Sequence, residues 1–223
     1  MTDPRPAPRE VVSKLVARAR TRGLGEIVAL GTARAREAIR SADELVFLSV
    51  DTATVVRIER EDLTCRRATA ADGASFADEI GTESPRTFAA RLSEETHCYL
   101  VLANERIVHS SWVTTHAAWT RELRAYVVPR DAAYVYESFT GPQARGKGAY
   151  PFALTNICAD LVAVGTTHLW VAVEAENHSS LRAVTKAGFV ERGRVAFGRQ
   201  LGRLSIGAIP NDPDFPAITT NLT

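Results

Sequence analysis

The chain has 223 residues, 45% of them hydrophobic and 24% charged, which suits one globular domain with an appendage or two small domains, and makes neither disorder nor a fibrous repeat the default. Lysine and arginine number 27 against 26 acidic residues, so no global field exists to draw in nucleic acid or an anionic lipid surface. No window has the apolar length of a membrane span, and the first ten residues lack a signal-peptide core, so a cytoplasmic protein is expected. Cys65, Cys98 and Cys158 are far apart and outside any CxxC, which argues against both a disulfide framework and a metal site.

Residues 1–9 hold three prolines and read as a leader. Val11, Val12, Leu15, Val16 and Ala19 then recur at helical spacing, giving an amphipathic helix that ends near Gly23 or Gly25. Residues 1–40 carry nine basic side chains against four acidic ones, so this helix either packs on its own domain or rests on a membrane or an anionic partner. Residues 26–40 also read as helical, and 44–51 as a short apolar strand. Together residues 1–61 form an extra, helical N-terminal segment.

From residue 62 to 205 strands and helices alternate. Strand 63–67 precedes helices 70–80 and 85–95, then a hairpin of 98–102 with 107–115 turns at Asn104. Residues 116–131 form a second hairpin or a loop near a substrate. Strand 133–140 runs into Gly141 and Pro142, and a helix at 148–164, a strand at 168–174, a helix at 177–187 and closing strands follow. Residues 206–223 read as a tail. The alternation around one long glycine-led helix gives an α/β class with a mixed sheet.

The most informative segment is Gln143-Ala144-Arg145-Gly146-Lys147-Gly148-Ala149-Tyr150, between a strand and a helix. A helix start presents free N–H groups and the positive end of the macrodipole, and glycine lets phosphate oxygens approach the backbone. The spacing is neither a Walker A loop nor a dinucleotide fingerprint. There is also no GxSxG elbow, no HExxH helix and no pair of carboxylates at metal spacing, so no metal is expected.

Q-x-x-G-x-G after such a strand, followed some thirty residues later by Asn177-His178-Ser179-Ser180-Leu181 and Lys186-Ala187-Gly188-Phe189, resembles the GNAT superfamily of acyl-coenzyme A-dependent N-acyltransferases. The resemblance covers about residues 62–205. It implies a mixed, mostly antiparallel central sheet flanked by helices. It also implies acetyl-CoA or another acyl-CoA as co-substrate, a small-molecule amine (amino sugar, amino acid or natural-product intermediate) as acceptor, direct attack in a ternary complex, and a homodimer as in relatives. In the family the backbone of the turn, here Arg145, Gly146, Lys147, Gly148, Ala149 and Tyr150, holds the coenzyme A diphosphate. The preceding strand, here Ser138, Phe139 and Thr140, pairs with the pantetheine arm. The later asparagine and serine, here Asn177 and Ser180, contact the pantetheine or phosphate region.

Acyl transfer needs a neutral amine, a stabilised oxyanion and a proton for the leaving thiolate. An amine of pKa about 10.4 is neutral only about once in 2,500 at pH 7, a deficit of about 4.6 kcal/mol. Glu137 is the expected base, with Glu174 as the other candidate. A backbone N–H at Phe139 or Thr140 would meet the oxyanion. Relatives that acetylate protein N-termini carry a tyrosine, the usual thiolate acid, where Val184 stands, and a glutamate where Ala172 stands. Both absences count against that activity, and they leave the acid open among Tyr150, Tyr136, His178, solvent or none. His109 stands where relatives often have glycine, either facing the acceptor or satisfied within its strand. Trp112, His116, Trp119 and Tyr126 would lie near the acceptor or in the core. Two other readings use the same fold. One takes its acyl group from a carrier-protein phosphopantetheine or an aminoacyl-tRNA, docked on the basic N-terminal segment. The other is a coenzyme A-binding module without catalysis.

Overall fold

The computed structural model describes residues 41–200, 203–207 and 213–219. The helices expected before residue 41 lie outside these residues. The chain divides into two compact units, Met1–Ala42 with Gly198–Ser205 and Asp43–Phe197 with Ile206–Thr223; the second carries the features below.

The strands are β1 (Ser41–Asp51), β2 (Thr64–Arg67), β3 (Thr96–Ala103), β4 (Arg106–Thr114), β5 (Ala118–Thr120), β6 (Ala125–Val128), β7 (Ala133–Thr140), β8 (His168–Glu174) and β9 (Val190–Gln200), with Arg203–Ile206 and Ala217–Thr219. The helices are α1 (Gly73–Glu79), α2 (Pro85–Arg91), α3 (Ala149–Ala163) and α4 (His178–Lys186). Eight strands lie side by side among the described residues, Arg203–Ile206 at one edge followed by β9-β1-β8-β7-β4-β3-β2. The pairs β1/β8, β7/β4, β4/β3 and β3/β2 are antiparallel, while β7 and β8 run parallel, joined by the crossover helix α3 that a parallel pair requires.

Two elements differ in place from the sequence reading. β1, drawn from the segment ahead of residue 62, sits between β8 and β9, and Leu45 through Val50 are all buried, as a strand covered on both faces requires. In the stretch read as a tail, Ala217–Thr219 pairs with β6 in a separate three-stranded sheet with β5. The hairpin of β3 and β4 turns on Asn104 and Glu105, both at positive φ, the geometry a two-residue turn needs. α2 stops at Arg91, short of the expected residue 95, because Leu92 takes extended dihedrals.

Ala149 through Cys158 are all buried, so the first ten residues of α3 are covered on every face and pack into the core with Val46, Leu48, Val171 and Val173. A second cluster joins Phe76 of α1 and Phe88 of α2 to Leu100 and Trp112 on the sheet. Burying Phe88 against Trp112, ring centroids 5.4 Å apart, is worth about 2–3 kcal/mol of apolar transfer.

One irregularity positions the site. β4 and β7 lose register between Ser110 and Trp112, so that Glu137 and Ser138 share the span opposite Ser111, and Glu137 adopts φ 47°. Such a bulge bends its strand. The pairing of β7 with β8 covers only Ala133, Tyr134 and Val135, and beyond Val135 the two strands are no longer paired.

Candidate active site

A cavity of about 750 Å³ lies where β7 parts from β8 and α3 begins. All eleven residues expected to hold a ligand line it: Ser138, Phe139, Thr140, the turn from Arg145 to Tyr150, Asn177 and Ser180. Gly146 and Gly148 have φ of 74° and 81°, the left-handed region that glycine enters without cost. A Cβ on Gly146 would meet nothing within 4 Å, so the loop backbone there borders open space. Gly148 caps α3, whose first N–H groups have no acceptor within the helix.

The lining is strongly cationic. Arg60, Arg145, Lys147, Arg182 and Lys186 border the cavity, and no carboxylate does. Arg60 grips Asp62 with two hydrogen bonds of 2.7 and 2.6 Å and donates a third, of 2.9 Å, to the Lys147 carbonyl, which braces the glycine turn. Ser179, Arg182, Ala183 and Lys186 recur at three- and four-residue spacing and so share one face of α4. Asn177 caps that helix: its side-chain oxygen accepts from the Ser180 N–H at 3.1 Å and the Ser179 hydroxyl at 3.0 Å.

A second cavity, of about 650 Å³, adjoins the first and shares Ser138, Phe139, Tyr150, Asn177 and Ser180 with it. Its other walls include Glu83, Glu122, Glu137 and Glu174, with Arg91, Arg121, Trp119 and Tyr136. Glu137 lies here and not in the first cavity. Its carboxylate pairs with Arg91 at 2.7 Å, while Arg91 also pairs with Glu83 at 2.9 Å and lies 3.9 Å over the Trp112 ring. Burial pushes the Glu83 carboxyl pKa up, against the opposing pull of Arg91. Burial, and then the nearby Glu122 charge, raises that of Glu174.

Between the cavities runs a buried polar chain. His109 is 1% exposed; its Nδ1 lies 2.7 Å from Thr140 Oγ1 and its Nε2 2.8 Å from Ser111 Oγ. Ser111 Oγ is 2.7 Å from Ser138 Oγ, and the Ser138 hydroxyl acts on the neighbouring Tyr150 phenol, offsetting part of the rise that burial gives its pKa. The His109 and Tyr150 rings stack with centroids 5.1 Å apart. Burial lowers the His109 pKa to about 3, so the ring is neutral at physiological pH.

Of the aromatics singled out in sequence, Trp119 lines the second cavity, Trp112 is buried in the core, and His116 and Tyr126 border neither cavity. Val184 is wholly buried in the core, while Ala172 faces the second cavity. Arg60, Arg91, Ser111 and Arg182 escaped the sequence reading. Arg182 had a signal in its helical spacing from Ser179 and Lys186, whereas Arg60, Arg91 and Ser111 are brought in by loop packing, by the docking of α2 and by β-sheet register. Among the described residues no group of three His, Cys, Asp or Glu side chains could hold a metal ion, and no helix is long and apolar enough to cross a membrane.

No family model and no curated protein matches the chain. Solved structures do. A GCN5-related N-acetyltransferase from Kribbella flavida superposes with a TM-score of 0.51 at 14% identity, over 71% of this chain and 58% of that one. An acetyltransferase of the GNAT family from Colwellia psychrerythraea gives 0.50 at 14% identity, over 72% and 56%. A Drosophila protein gives 0.50 at 11% identity, over 80% and 58%. The chain thus spans 56–58% of the length of these three structures. With its mostly antiparallel sheet, parted parallel strands and glycine-led helix, this protein has the fold of the GNAT-family acetyltransferases.

Proposed function

We propose that the protein transfers an acyl group, acetyl in the simplest case, from coenzyme A to a small-molecule amine. The observation that carries this reading is the pair of adjoining cavities that meet at Ser138, Phe139 and Tyr150, one lined by five cations and no carboxylate, the other by four carboxylates and two arginines. Bound there, the co-substrate supplies an acyl thioester. The five cations and the start of α3 would receive its phosphates, and Gly146 and Gly148 let them reach the backbone. Residues 138–140, beyond the pairing with β8, would offer main-chain groups to the pantetheine amides in the manner of an added strand.

The acceptor enters the second cavity, whose carboxylates favour an ammonium. Of the two candidate bases, Glu174 suits proton removal better than Glu137. Its pKa is raised, whereas the Glu137 carboxylate is already paired with Arg91. Glu137 then helps hold the acceptor's charge. A backbone N–H at Phe139 or Thr140 would stabilise the oxyanion.

The test is acetyl-CoA presented with panels of diamines, amino sugars and amino acids, with thiol release and acetylated product both measured. Amine-dependent release matching the product is expected, strongest for di-cationic acceptors. Thiol release that no amine alters, from protein that binds acetyl-CoA, would overturn the transferase reading in favour of a binding module.

A further inference from the structure

We propose that Tyr150 delivers the proton to the departing thiolate, and that Ser138, Ser111, His109 and Thr140 form the relay that resupplies it. This rests on the acyltransferase reading above.

The relay has two ends and a sealed middle. Tyr150 borders both cavities, at the seam where a thioester carbon would meet an attacking amine. Thr140 is half-buried on the wall of the first cavity. Between them, Ser111 is fully buried and borders neither cavity, and His109 is 1% exposed. The spacings of 2.7, 2.8 and 2.7 Å from Thr140 to Ser138 are all hydrogen-bond lengths. Each hydroxyl has one proton to give and lone pairs to receive, and a neutral imidazole has one N–H and one bare nitrogen. The chain therefore carries one proton per link and has two polarities. In one, His109 is protonated at Nε2, the hydrogen bonds point toward Tyr150, and the phenol O–H is left to point into the cavity.

The chemistry needs the whole chain. A thiol has a pKa of about 8.5, whereas burial pushes the Tyr150 phenol up to about 12, with the Ser138 hydrogen bond offsetting part of the rise. A lone phenol would hold its proton against such a thiolate. When each link passes its own proton along, no phenolate remains. The C–S bond breaks with its electron pair on sulfur, and the Tyr150 proton goes to sulfur. Ser138 reprotonates Tyr150, Ser111 reprotonates Ser138, and His109 Nε2–H reprotonates Ser111. Nδ1 takes the Thr140 proton, and Thr140 takes one from water in the first cavity. The acceptor ammonium sheds two protons for this one consumed, so one is released overall. His109 never becomes a cation: it gives a proton from one nitrogen as it takes one at the other, as its low pKa demands.

The experiment follows the thiol of coenzyme A bound to the protein, by thiolate ultraviolet absorbance against pH, with S-methyl coenzyme A as the blank. A phenol O–H aimed at sulfur stabilises the thiolate. The bound thiol pKa is therefore expected to be lower in the wild type than in Tyr150→Phe by about one unit or more. Ser111→Ala cuts the relay without altering either wall. It is expected to bind coenzyme A unchanged, to slow kcat about ten-fold at constant KM, and to turn a curved proton inventory in deuterated solvent into a straight one. Equal bound-thiol pKa values in wild type and Tyr150→Phe would overturn the donor. An unchanged kcat and inventory in Ser111→Ala would overturn the relay, and that variant decides should Tyr150→Phe fail to fold. Failure of wild-type protein to bind coenzyme A would instead overturn the acyltransferase reading, and this one with it.

Discussion

Replacing Gly146 separates backbone strain from electrostatics in the proposed phosphate site. The residue sits at φ 74° with open space where a Cβ would go, so Gly146→Ala meets no steric neighbour and costs about 1 kcal/mol of stability from the left-handed backbone alone. Gly146→Glu adds the same strain plus a negative charge beside Arg145 and Lys147. At about 6 Å from a diphosphate of charge about −2, the repulsion is about 1.4 kcal/mol with water-like screening and about 5.5 kcal/mol at an effective dielectric of 20. The rim is open, so the lower half of that range applies, and coenzyme A affinity should fall about 10- to 300-fold. Calorimetric titration of both variants, with thermal melts as a fold check, measures it. Gly146→Ala should stay within about three-fold of the wild type, and the Gly146→Glu loss should shrink in 0.5 M salt as screening shortens to a few ångströms. Equal affinity of the two variants, at low salt, would refute the placement of a phosphate at this turn.

Other expectations concern neighbouring parts. Arg60→Ala removes both a cavity cation and the brace on the Lys147 carbonyl, so coenzyme A binding should weaken by about ten-fold with little change in melting temperature. Arg91→Ala leaves the Glu83 carboxylate buried without its cation and should cost about 2–3 kcal/mol at pH 7. Because the Glu83 pKa is raised in the fold, its contribution favours the folded state below the ordinary carboxylate range and is lost as pH rises. Melting curves of wild type and Arg91→Ala should therefore converge near pH 4 and diverge toward pH 7. Val184→Tyr should destabilise by about 1–3 kcal/mol, since that position is fully buried; a gain in turnover without loss of stability would show that the site reaches the cavity.

Much of the site was legible because local chemistry wrote it. Gly146 and Gly148 announced a turn and helix start, and the Asn177 to Ser180 segment announced a capped helix, so the first cavity could be drawn from two short motifs. The role of β1 was not legible. An uninterrupted apolar run reads the same beside any neighbour, and its place between β8 and β9 is set by partners more than a hundred residues away. The buried relay was hidden for a related reason. His109 and Ser111 share a face of β4 at a spacing of two, but which residue of β7 meets them is set by the bulge that puts Glu137 and Ser138 together opposite Ser111. Glu137 was picked from its strand position, but a positive φ and an arginine from α2 commit its carboxylate to the second cavity.

The most direct measurement is a calorimetric titration of the wild-type protein with acetyl-CoA. One-to-one binding in the micromolar range, weakening as salt rises, is expected from five cations converging on a helix start. No heat and no shift in melting temperature from folded protein would contradict the coenzyme A-dependent function.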